Sequence, residues 1–127
     1  MYKNKILGSY GEKTAVKFLE DEGYTILTTN YRCRFGEIDI IAADGDTVSF
    51  IEVKTRSSNI FGEPGEAVNY PKQLKIVKTA LHYISNKNLT NYMSRFDIVE
   101  IFVDADNKAN KIALIKDAFD YSGKLGY

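Results

Sequence analysis

The chain has 127 residues, 44% of them hydrophobic and 27% charged, which fits one globular domain with its own core and excludes a disordered chain. Seventeen Lys and Arg balance seventeen Asp and Glu, so no whole-molecule field draws in nucleic acid or an acidic membrane, and an anionic partner needs a local basic patch. No apolar run approaches the roughly 20 residues of a membrane span, and a lone cysteine with a lone histidine excludes an internal disulfide or a Cys/His zinc cluster. The expectation is a reducing, cytoplasmic setting with no membrane partner, and the first eight residues lack the hydrophobic stretch of a secretory signal.

Along the chain, Gly8 to Glu22 reads as a helix with Glu12, Ala15, Val16 and Leu19 on one face, ended by Gly23. Tyr24 to Arg34 is rich in β-branched and aromatic residues and reads as a strand, followed by a turn at Phe35-Gly36. Glu37 to Ala43 and Thr47 to Arg56 read as a β-hairpin around Asp44-Gly45-Asp46, and Ser57 to Gly65 as a polar loop. Pro71 opens a second helix that carries Leu74, Val77, Leu81 and Ile84 to about Ser85. Two strands follow, Arg95 to Val103 and Lys111 to Lys116, and 117–127 reads as a frayed tail. The fold class is therefore α/β, a mixed sheet with helices packed on it in the order α-β-β-β-α-β-β, within a single domain spanning 1–127.

The hairpin carries the chemistry. A two-residue loop at Gly45-Asp46 pairs positions whose numbers sum to 91, and one at Asp44-Gly45 pairs those summing to 89. Either odd sum puts Glu37, Asp39, Ile41, Phe50, Glu52 and Lys54 on one face, with Ile38, Ile40, Ala42, Ile51 and Val53 on the other. Asp39 and Glu52 are then opposed or diagonal. Two carboxylates with Cβ atoms about 5 Å apart repel unless a cation lies between them. Their oxygens, with the Val53 backbone carbonyl, suit a hard ion, Mg²⁺ or Mn²⁺, whose bound water can attack a phosphate ester. Lys54 on the same face could orient or deprotonate that water, or neutralise charge developing on the phosphate.

Asp39, twelve residues, then Glu52-Val53-Lys54 resembles the PD-(D/E)XK nuclease signature. Gly11-Glu12, the run from Tyr31 to Ile41, and Phe50 to Arg56 resemble the YraN-like family of small bacterial proteins, placed in the endonuclease superfamily by similarity to archaeal Holliday-junction resolvases. The resemblance covers about Gly8 to Phe102 and implies a restriction-endonuclease-like sheet and a Mg²⁺-dependent endonuclease acting on DNA, branched DNA included. It implies that Asp39 and Glu52 are metal ligands, Lys54 the catalytic lysine, and Glu12 a further acid from the first helix. One departure is Ile38, which occupies the place of the signature proline.

Plainer roles compete with these. Ser9-Tyr10-Gly11-Glu12 matches a capping box, which would make Glu12 a helix cap. The acidic hairpin face could be a solvated strand face with cross-strand ion pairs, and Glu37 suits a pairing with Lys54 or Arg56. His82 reads as a surface helix residue and Cys33 as filler. Residues 53–87 carry six Lys and Arg against two Glu, so the neutral total conceals a basic stretch beside the hairpin. Arg32, Arg34 and Arg56 flank the acids and can grip phosphates bidentately, with Lys72 and Lys75 as further candidates. Cutting two strands would favour a homodimer. The rival expectation is a catalytically inactive nucleic-acid-binding or protein-interaction module on the same fold.

Overall fold

The computed structural model describes residues 2–57 and 70–120, with side chains from residue 9 onward. The elements are α1 (Tyr2–Asp21), β1 (Thr25–Cys33), β2 (Gly36–Asp44), β3 (Thr47–Ser57), α2 (Tyr70–Asn86), β4 (Met93–Val103) and β5 (Ala109–Phe119). This is the expected order. The strands form one mixed sheet, β1-β2-β3-β4-β5, parallel only between β3 and β4, where α2 supplies the connection that a parallel pair requires. Among the described residues no helix is long and apolar enough to cross a membrane.

The boundaries at the two ends of the chain depart from the sequence reading. α1 begins at Tyr2, not Gly8, because nothing in the preceding residues interrupts the helix, and Ser9 and Glu12 therefore lie in its interior. A capping box needs the helix to start at Ser9, so that role for Glu12 falls away. At the other end the expected tail is partly strand: β5 runs to Phe119, whose ring stacks on Phe96 with centroids 4.9 Å apart. Residues 121–127 and 58–69, which include the expected polar loop after Ser57, lie outside the described residues.

The close of α1 follows the expected form. Gly23, at φ +98°, lets its own N–H and that of Tyr24 return to the carbonyls of Glu20 and Leu19 at 3.0 and 2.9 Å. α1 also approaches the sheet closely at Gly11, where a Cβ would collide with Thr55 Oγ1. The sheet has a core on each face. Ala15, Leu19, Ile40, Ala42, Ile51, Val99 and Ile101 pack on the α1 side. Ile41, Phe50, Ile76, Val77, Ala80, Tyr83, Phe96 and Ile98 pack on the α2 side.

The β2–β3 register is the sum-91 one, from Asp44↔Thr47 to Ile40↔Ile51. Ile38 departs from expectation: it packs with Ile41 on the α2 side rather than with Ile40. Strand alternation is thus interrupted at Asp39. The β1–β2 ladder lacks the Asn30–Asp39 pair at the same place, with Asn30 at φ +53°, although the register is the same on either side from Thr29↔Ile40 to Tyr31↔Ile38 and its shift lies between Ile26 and Thr28. A left-handed residue inside a strand bends it and lifts the adjoining pair out of the ladder.

Candidate functional site

Asp39 sits at that break. One register step beyond Ile40↔Ile51 would set its backbone against Glu52; instead its carboxylate accepts the Val53 N–H at 2.8 Å. Glu52 is buried, 8% exposed, in the strand whose next residue makes that bond. Burial pushes the Asp39 carboxyl up to about 7, helped by the nearby Glu52 charge and by a hydrogen bond between the two carboxyls; the Val53 N–H pulls the other way, and Glu12 adds a smaller upward push. The predicted pair of acids is therefore brought together.

Two lysines face it. Lys54 Nζ lies 3.9 Å from Glu52 Oε2, and Lys72, from the first turn of α2, is ion-paired to the same oxygen. Burial lowers the Lys54 pKa, as do a hydrogen bond from Lys72 and that neighbour's charge, against the opposing pull of Glu52 and Asp39. For Lys72 burial also acts downward but is outweighed by the hydrogen bond and charge of Glu52, so its ammonium is held above the usual lysine range. Lys72 was expected among the phosphate-binding residues at the surface; it stands in the site instead. No local signal in Pro71-Lys72-Gln73 distinguishes it from Lys75, because the distinction comes from how α2 crosses β3.

Glu12 is half-buried on α1, accepts a hydrogen bond from Asn30 Nδ2 at 3.0 Å, and borders a cleft of about 330 Å³ lined by Ser9, Lys13, Val16, Thr29 and Asn30. It is near enough to Asp39 to act on its ionisation. Even so, among the described residues no group of three or more His, Cys, Asp and Glu side chains is gathered closely enough to hold an ion. The donors that would fit a hard cation are the carboxylate oxygens of Asp39 and Glu52, and Glu52 already draws positive charge from Lys72.

The remaining basic candidates separate. Arg32 is exposed and pairs with Glu37 at 3.0 Å, so Glu37 takes neither Lys54 nor Arg56 as its partner. Arg34 is exposed and lies over the Phe35 ring, 4.8 Å from its centroid. Lys75 is exposed on α2, with its Cβ near Gly36 of that hairpin. Arg56 is not at the surface: its side chain is 16% exposed and its Nε lies 2.7 Å from Glu100 Oε2, which is fully buried. The sheet pairs Lys54 with Glu100, so a basic strand end meets an acid buried in β4.

Other polar groups were not foreseen. His82 shares a 2.6 Å hydrogen bond with the Tyr31 hydroxyl and packs against Phe35, so it braces the β1–β2 hairpin. At the opposite end of β3, Arg95 bonds Asp97, Asp44 and the Tyr24 hydroxyl, and Ser49 bonds Asp97 at 2.5 Å. Burial, with the adjacent Asp97 charge, holds the Tyr24 hydroxyl up at about 12.

The family model described as "Uncharacterised protein family UPF0102" matches residues 11–101. UPF0102 proteins of Caldicellulosiruptor bescii and Clostridium tetani are similar to this chain, 54% and 52% identical over 116 residues, which is 91% of this chain and 98% and 95% of theirs. One from Syntrophus aciditrophicus is 49% identical over 120 residues, 94% of this chain and 93% of its own. The matched span begins at Gly11-Glu12 and takes in Asp39, Glu52 and Lys54, and on it the chain belongs to the UPF0102, or YraN-like, family.

Proposed function

We propose that this protein is a Mg²⁺- or Mn²⁺-dependent endonuclease that hydrolyses phosphodiester bonds in nucleic acid, with DNA, branched DNA included, as its substrate. One observation carries the reading: the Asp39 carboxylate is held by the backbone N–H of the residue after Glu52, at 2.8 Å, with buried Glu52 3.9 Å from Lys54. A solvated strand face would not bury Glu52 or hold Asp39 protonated up to about pH 7.

Asp39 and Glu52 would hold the ion, with the Val53 carbonyl as a third oxygen. When bound, a divalent ion supplies the charge that acidifies water and offsets charge on the phosphoryl oxygens. The Val53 N–H fixes the Asp39 carboxylate, so one of its oxygens keeps its aim without reorganisation. Lys54, its pKa lowered, is suited to orient the attacking water and to take up its proton. Glu12, fixed by Asn30, reaches toward Asp39 from the α1 side and orders the water there. Arg34 and Lys75 offer the phosphate backbone exposed charge along one edge. The free thiol of Cys33 accords with work in a reducing cytoplasm.

The test is incubation with labelled junction, flap, duplex and single-stranded substrates, with Mn²⁺ and with chelator. Mn²⁺-dependent cleavage abolished by Asp39→Asn, Glu52→Gln or Lys54→Ala is expected; cleavage surviving all three removes the mechanism. The absence of a third gathered acid favours a second reading, a binding module without turnover. Retention of nucleic acid with no cleavage on any substrate would select it.

A further inference from the structure

Of the two lysines at Glu52, the one in closer contact is not the motif lysine. Lys72 reaches Glu52 Oε2 more closely than Lys54 does, from a side chain that is 40% exposed while that of Glu52 is 9% exposed. Its stem thus runs from solvent into the site, and a lysine stem is long and flexible enough to withdraw again. Its seat is firm, since it springs from the first turn of α2, one residue after Pro71. A hard divalent ion held by Glu52 would need the same oxygen.

We propose that Lys72 is the resident counter-ion of the metal-free site, displaced from Glu52 when a divalent cation binds. The proposal takes its metal from the endonuclease reading but concerns binding alone. Two consequences follow. The ammonium costs the site part of its intrinsic metal affinity, because the ion must displace a partner as well as shed water. Binding of the ion also sends Lys72 outward into solvent, on the helix that carries exposed Lys75.

Mn²⁺ alone is the probe, read by calorimetry and by the rate of lysine acylation followed by peptide mass spectrometry. In the full chain, Lys72→Met is expected to bind Mn²⁺ about fivefold more tightly, the fold-change an ion pair of this partial exposure carries. Lys72→Arg, which keeps the charge, stays at or below wild-type affinity, and Lys78→Met, an exposed lysine elsewhere on α2, is unchanged. Saturating Mn²⁺ should speed acylation of wild-type Lys72 severalfold and leave Lys75 unaffected. Should Lys72→Met lose stability, the acylation of the wild-type protein still decides. Equal Mn²⁺ affinity in wild type and Lys72→Met with unchanged acylation overturns the exchange while leaving the endonuclease reading intact, and so does weaker binding by Lys72→Met. Normal exchange without cleavage of any nucleic acid overturns only the latter. Failure of Mn²⁺ to bind any variant overturns both.

Discussion

Asn30 Nδ2 donates to Glu12 Oε1 at 3.0 Å, which joins β1 to α1 at the Asn30–Asp39 position that the β1–β2 pairing skips. Asn30 does two jobs there. Its φ of +53° bends the strand, and its amide fixes an acid that acts on Asp39. Substitution separates the two. Asn30→Gly adopts the left-handed backbone freely and should unfold at nearly the wild-type denaturant midpoint, whereas Asn30→Ala should lose about 1 kcal/mol. Both lose the bond to Glu12, so metal-dependent cleavage should fall to a similar extent in both. Full activity in the glycine variant would reduce Asn30 to a backbone role.

The ionisation of Asp39 sets a pH dependence whose sign is opposite to that of an ordinary carboxylate ion pair. In the unfolded chain Asp39 ionises near its usual 3.8, and in the metal-free folded protein at about 7. Between those values the native state binds a proton that the unfolded chain has released, so stability falls as pH rises from about 4 to about 7 and levels off above. Thermal melts across that range should show the decline, and Asp39→Asn should flatten it. Mn²⁺ needs the deprotonated pair, so it should raise the melting temperature most above pH 7 and release a proton on binding at pH 6. A metal-free stability that climbs through this window would contradict the burial of Asp39.

The turn of the acidic hairpin was legible because its information is local: Gly45-Asp46 sets the sum of 91 that holds from Asp44↔Thr47 to Ile40↔Ile51. The same rule failed at Ile38, since alternation assumes an unbroken ladder and Asn30 breaks it. A signal was present, as Asn is the side chain other than Gly that most readily takes φ above zero, but it stood unremarked in a β-branched run. Lys72, Arg56 and Arg95 were beyond reach for a different reason. The partners Glu52, Glu100 and, for Arg95, Asp44 are supplied by strands set against them only by the tertiary fold, and a charged residue with an acid 20, 44 or 51 positions away looks solvated in sequence.

Arg56 and Arg34 should fail in different ways although both were candidates for gripping phosphate. Arg56→Met removes the guanidinium that is ion-paired with fully buried Glu100, a change that costs about 3–5 kcal/mol and should appear in urea denaturation. Arg34→Ala removes an exposed guanidinium and should leave the midpoint unchanged. In nucleic-acid binding followed against salt, Arg34→Ala should lower the slope of log K on log salt by about 1. A stable Arg56→Met protein with a reduced slope would restore Arg56 to the surface.

Asp97 is 1% exposed and accepts from Arg95 Nε, from the Ser49 hydroxyl and from the backbone N–H of Asp117, which itself has φ +56°. That last bond falls where the β4–β5 register shifts between Phe96 and Ile98, so the buried acid sets how β5 returns to place Phe119 on Phe96. Removing it takes the acceptor from a hydroxyl and an amide and leaves Arg95 with Asp44 as its acid. Asp97→Ala should therefore cost about 3–5 kcal/mol, the range for breaking a buried pair, and Asp97→Asn less, because an amide oxygen can still accept from Ser49 and Asp117. Because the network lies at the turn end of the hairpin, any Asp97→Asn protein that remains folded should bind Mn²⁺ with wild-type affinity. Weakened Mn²⁺ binding in a folded Asp97→Asn variant would show that the two ends of β3 are coupled.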